Sequence, residues 1–193
     1  MCKANLATMA YFYFDSRDIG KQSFHNLLSS LLTQLSARSD TFCDIISCLY
    51  KDYDDGARQP SNRDLTQCLK EVLTLPDHGP VYLINDALDE CANEYSLPST
   101  REQVLDLIKD LVELQLPNLR LCVTARPLID IRFSLDSLAS HCVSLHDADG
   151  QKKEIADYVR SVVHSDSSLI MRRWSGEDKE LVIKTLSEKA DGM

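Results

Sequence analysis

The residues best suited to chemistry in this chain follow two short apolar runs. Val81-Tyr82-Leu83-Ile84 reads as a strand that stops at Asn85-Asp86, and Asp89 and Glu90 come three and four residues after Asp86. A carboxylate held rigidly at a strand tip suits a Mg²⁺-phosphate site. The ion keeps most of its waters and is bound through one or two carboxylates plus phosphate oxygens. A second carboxylate nearby can orient an attacking water. The competing reading is an acidic loop that is merely solvated. Leu121-Cys122-Val123 leads in the same way to Thr124-Ala125-Arg126-Pro127. A guanidinium there offers a fork of donors and a fixed charge for phosphate oxygens. Taken alone, it serves a surface ion pair equally well.

Bringing these groups together requires a scaffold, and the hydrophobic pattern supplies one. Short apolar runs at 11–14, 81–84, 119–123 and 142–145 read as strands. Between and after them lie helical periodicities. Phe24, Leu27, Leu28, Leu31, Leu32 and Leu35 share one helical face, and Phe42, Ile45, Ile46, Leu49, Tyr50 and Tyr53 share another. Ser61 caps a helix carrying Leu65, Cys68, Leu69, Val72 and Leu73, with Asp64 as a capping-box variant. Ser99 and Glu102 form a capping box before Val104, Leu107, Ile108, Leu111 and Val112. Asp149 opens a helix through Ile155, Tyr158, Val159, Val162 and Val163, and a last helix starts near Ser175. Strands apolar on both faces and separated by helices predict an α/β fold with a parallel sheet covered on both sides. Ligands of such sheets bind at the carboxyl ends of the strands, where both motifs fall.

Composition narrows the partners. The 193 residues are 44% hydrophobic and 26% charged, the balance of a folded globular chain. Against 30 Asp and Glu stand 21 Lys and Arg, a formal net charge of -9. That lacks the footprint of a nucleic-acid binder and the basic cluster of an anionic membrane surface. No apolar stretch approaches a membrane span and no signal-peptide core opens the chain, which predicts a cytoplasmic protein. The seven cysteines show no C-x-x-C pair, and read as small buried hydrophobes in a reducing compartment. The five histidines read as structural or exposed, and Trp174, beside Arg172 and Arg173, as packing between helices.

The ordered motifs resemble a known family. Asp86 to Cys91, D-A-L-D-E-C, is similar to the Walker B signature of NACHT domains in the STAND class of P-loop NTPases. Thr124 to Pro127, T-A-R-P, resembles their sensor-1 motif. Tyr11 to Asp15, and the final run into A-D-G-M, resemble the large fungal NACHT group, whose domains often precede ankyrin or WD repeats. The resemblance implies a three-layer P-loop NTPase-like parallel sheet flanked by helices. It places a partial nucleotide-binding domain at 1–148 and the start of the C-terminal helical region at 149–193. It implies an ATP- or GTP-driven signalling switch that self-associates and recruits effectors. Residue by residue, Asp86 would bind Mg²⁺ through water and Asp89 would support the metal shell. Glu90 would polarise the hydrolytic water, and Thr124 and Arg126 would meet the nucleotide, Arg126 sensing the terminal phosphate.

Two departures accompany the match. A phosphate-cradling loop needs G-x-x-x-x-G-K-[ST]. The only Gly-Lys step is Gly20-Lys21, with Asp15 in place of the first glycine and Gln22 in place of the hydroxyl. The expectation is a fragment lacking the P-loop and the sheet's first strand, with Mg²⁺ and ATP or GTP bound only by the complete domain. The second departure is Asn85, where the family carries an aliphatic residue; at the strand's exit it would escape the cost of burial. The alternatives are a scaffold that no longer binds or turns over nucleotide and a stand-alone α/β hydrolase using the same carboxylates.

Overall fold

Three strands hydrogen-bond side by side in the order β1 (Thr8–Tyr13), β2 (Val81–Asp86), β3 (Leu119–Val123). All pairings are parallel, with Thr8 opposite Val81 and Val81 opposite Leu119. They belong to a computed structural model that describes residues 7–76, 79–93, 98–144, 149–165 and 171–189. Parallel neighbours need long crossovers. The first is α1 (Phe24–Ser36), α2 (Asp40–Asp52) and α3 (Asn62–Thr74), and the second is α4 (Thr100–Glu113). A short helix α5 (Ile129–Leu135) follows β3.

The helices start where side chains satisfy their first N–H groups. Ser23, Ser39, Ser61 and Ser99 each accept a hydrogen bond from the third residue of the helix that follows. At α4 the box is reciprocal: Ser99 N–H donates to Glu102 at 2.7 Å and Glu102 N–H donates to Ser99 Oγ at 3.2 Å. The Ser61 cap differs, because Asp64 receives the Tyr53 hydroxyl at 2.5 Å as well as that of Ser61, tying the loop after α2 to the start of α3.

The core lies on one face of the sheet. Ala10 and Phe12 of β1 and Val81 and Leu83 of β2 join Leu27, Leu28, Leu31, Leu69, Val72, Val104 and Ile108 in one buried cluster. The opposite face is open: Met9, Tyr11, Tyr13 and Tyr82 are 43–50% exposed. This corrects the expectation of a sheet covered on both sides. Right-handed crossovers that add each strand in the same direction place every connecting helix on the same face. The tyrosines read as apolar in the sequence, but they alternate outward. The two sheet edges also differ. On β1, Gln34 accepts from Tyr11 N–H at 3.1 Å and donates to Tyr11 O at 2.7 Å, closing that edge with a side-chain amide. On the outer side of β3 no strand pairs among the described residues.

Several boundaries shift. β1 starts three residues before the aromatic run, and β2 runs through Asp86. The expected strand at 142–145 is irregular at 142–144, and Leu145 lies outside the described residues, as do His78, His146, Cys2 and the terminal A-D-G-M. Cys43, Cys48, Cys122 and Cys142 are exposed, and only Cys68 and Cys91 are buried among the described cysteines. Cys122 falls on the outward face of β3, and Cys43 and Cys48 on the outer side of α2. Burial pushes the Cys68 thiol up to about 11, so it behaves as a small hydrophobe. His25 bridges Asn62 and Gln59, a structural link.

The chain divides into two compact units, 1–139 and 140–193. In the second, α6 (Asp149–His164) and α7 (Gly176–Lys189) pack together, with Val163 and Ile183 buried. Ser175 caps α7 through the Asp178 N–H, and Trp174 is half-buried just before it. No helix among the described residues is long and apolar enough to cross a membrane.

Candidate functional site

The site forms where three parallel strands end side by side. Asp86 is the last residue of β2, and its Oδ1 accepts the Thr124 hydroxyl from the residue after β3. Ala87 N–H donates to the same hydroxyl oxygen at 3.0 Å, and Leu88 N–H donates to Thr124 O at 2.9 Å. Ala87 itself sits in the left-handed region, at φ 54° and ψ 45°. A non-glycine residue pays about 1–2 kcal/mol for that conformation. The Thr124 bonds hold it there, and the turn swings Leu88–Glu90 back across the strand ends.

The next two carboxylates take different partners. Glu90 Oε2 accepts Ser16 N–H at 3.0 Å and Ser16 Oγ at 3.2 Å, from the loop after β1. Asp89 accepts Arg126 N–H at 2.9 Å and Arg126 Nε at 2.5 Å. The Asp89 side chain is 7% exposed and that of Arg126 70%, so the carboxylate lies underneath and the guanidinium covers it. The structure thus gathers all five sequence-predicted residues at one end of the sheet, in three pairs: Asp86 with Thr124, Asp89 with Arg126, and Glu90 with Ser16.

Sequence reasoning missed Ser16, because a serine two residues beyond an aromatic run carries no motif. Gly20-Lys21 lies on a short 3-10 turn capped by Asp18, with the Lys21 ammonium over the Tyr13 ring at 3.8 Å. Asn85 corrects its expectation. It lies inside β2, is 5% exposed, and its Oδ1 is buried without a hydrogen-bond partner among the described residues. Burial of that oxygen costs on the order of 1–3 kcal/mol.

Asp86 is exposed at the strand tip, and its Oδ2 makes no hydrogen bond to the described residues. That donor fits a hydrated Mg²⁺ bound through few protein oxygens. Among the described residues no three His, Cys, Asp or Glu side chains stand close enough to hold a metal by themselves. Burial works to raise the pKa of Asp89, but the Arg126 N–H and guanidinium outweigh it and hold the carboxyl below its usual range. A depressed folded-state pKa stabilises the fold above the unfolded value near 3.8, and the contribution is lost as pH falls through the folded value. Asp89→Asn is therefore expected to flatten the stability profile below about pH 4, read as denaturant midpoints between pH 2 and 6; an unchanged acid limb would show that the pair contributes nothing.

An α/β unit with paired carboxylates and a cation at the carboxyl ends of parallel strands defines the class. The profile of the nephrocystin 3, N-terminal family matches residues 1–126. The chain belongs to that family, and the match runs from before β1 through Arg126, so it contains Asp86, Asp89, Glu90, Thr124 and Arg126. No curated protein and no solved structure matches the chain.

Proposed function

We propose that residues 1–148 are the Walker B and sensor part of a NACHT-type nucleotide switch with a P-loop NTPase-like sheet. The observation that carries this reading is the convergence of Asp86, Glu90 and Arg126 at the carboxyl ends of adjacent parallel strands. Asp86 would hold Mg²⁺ through water, and the ion when bound supplies charge neutralisation at the phosphate oxygens. Glu90, fixed through one carboxylate oxygen by Ser16, has the other available to orient a water. Thr124 holds Asp86 in place. Arg126 would leave Asp89 to meet a terminal phosphate, while Asp89 would stay beside the metal's water shell.

The backbone cradle and lysine of a P-loop belong, on this reading, to a segment outside residues 1–193. A strand adding at the open β3 edge and returning to β1 reverses the crossover direction. Its helix then covers the exposed tyrosine face. ATP and GTP both suit the carboxylates and the cation. The fungal origin, the 1–148 and 149–193 division, self-association, effector recruitment and a cytoplasmic location follow from the NACHT resemblance and are part of the proposal.

A second reading is a scaffold that has ceased to turn over nucleotide. The closed Asp89–Arg126 pair favours it, because the cation is already neutralised. Because a P-loop supplies most phosphate contacts, residues 1–193 alone are expected to show no saturable Mg-ATP binding in the low micromolar range by isothermal titration. Tight stoichiometric binding by this chain would mean that the phosphates are held by residues other than a P-loop.

A further inference from the structure

Arg101 is the one cationic residue that is buried among the described residues, at 8% exposure. It occupies the first turn of α4, where a cation opposes the helix dipole, so the helix itself gives no reason for it. Its Nη2 donates to the carbonyl oxygens of Asp89 at 2.7 Å and Cys91 at 2.9 Å, the two residues that bracket Glu90. Its Nη1 donates to Asp130 Oδ2 at 3.0 Å, in the first turn of α5 and four residues after Arg126. Burial works to raise the Asp130 pKa, but the bond and charge of Arg101 together with the Ile131 and Asp130 backbone N–H groups outweigh it and hold the carboxyl low. One guanidinium therefore grips the loop that carries Glu90 and the helix that follows Arg126. Because Arg126 is also bonded to Asp89, the two loops are joined twice: at the surface through Asp89–Arg126, and beneath it through Arg101.

We propose that Arg101 is a positioning residue that couples the Glu90 loop to the Arg126 loop, so that a displacement of one is transmitted to the other. Its meaning for hydrolysis rests on the nucleotide reading above; the coupling itself needs no nucleotide. Two backbone amides report it. Ser16 N–H is bonded to Glu90 and Arg126 N–H to Asp89.

The test is amide hydrogen exchange by NMR on residues 1–193 without nucleotide. Asp130→Asn alters α5 and touches neither Ser16 nor Glu90. It is expected to speed exchange at Ser16 by about 10-fold, as a local opening of the coupled loops, while Leu83 and Phe12 stay unchanged. In an Arg101→Lys background, which keeps the charge but not the planar fork, Asp130→Asn is expected to have no further effect on Ser16. A Ser16 amide indifferent to Asp130→Asn, or an effect of the same size with Arg101→Lys present, would overturn the coupling. Where Arg101→Lys fails to fold, the Asp130→Asn measurement alone decides. Loss of the nucleotide reading would leave these exchange rates untouched, so the two claims fail separately.

Discussion

Glu90→Gln is expected to slow nucleotide hydrolysis by about 10²–10⁴-fold, the usual contribution of a positioned acid–base group, while nucleotide affinity stays close to wild type. The amide keeps an oxygen for the Ser16 bonds, so the turn that carries it should not move. It loses the negative charge that orients and polarises a water. Asp86→Ala should act differently, removing the exposed strand-tip carboxylate and weakening Mg-nucleotide binding itself. Single-turnover hydrolysis and equilibrium binding, measured on the polypeptide that supplies the P-loop, separate the two. Equal loss of binding in both variants would mean that the roles of the carboxylates are wrongly divided.

Leu28→Ala is expected to destabilise the first unit by about 2–5 kcal/mol, the range for deleting a fully buried leucine. Leu28 has no exposure and sits in the core cluster where α1 meets the sheet and its neighbouring helices. A domain stability of ~5–15 kcal/mol leaves little reserve for such a loss. By contrast, Tyr11→Ser and Tyr82→Ser change side chains on the open sheet face. They are expected to stay within about 1 kcal/mol of wild type. Urea midpoints for the three variants check this; a Tyr82→Ser loss as large as that of Leu28→Ala would mean that the face is covered.

Helices and strands were legible where periodicity and caps agreed. Ser61 before Leu65, and Ser99 with Glu102, announced α3 and α4, and the apolar faces they predicted are the buried ones except at α4, where Val112 is half-buried and Leu105 is buried instead. That Asp86, Asp89, Glu90, Thr124 and Arg126 meet at one end of the sheet was legible because they follow two strands, β2 and β3, that the sequence marks as neighbours. What the sequence hid has physical causes. Tyrosine reads the same whether its ring is buried or lies on an open sheet, so the one-sided cover was invisible. α5 is seven residues long with only Ile131 buried, too short to print a period. Cys122 followed the strand's alternation outward in spite of its apolar neighbours. Arg101 sits among charged residues at a helix start and reads as solvated. Only the fold brings the Asp89 and Cys91 carbonyls over it.

Titration of Mg-ATP and Mg-GTP into a polypeptide that joins residues 1–193 to the proposed P-loop segment, with and without Asp86→Ala, tests the proposed nucleotide site most directly. The account predicts saturable, Mg²⁺-dependent binding of at least one of the two nucleotides, and its marked weakening by Asp86→Ala. Absence of binding to either nucleotide, or binding indifferent to Asp86→Ala, would contradict it.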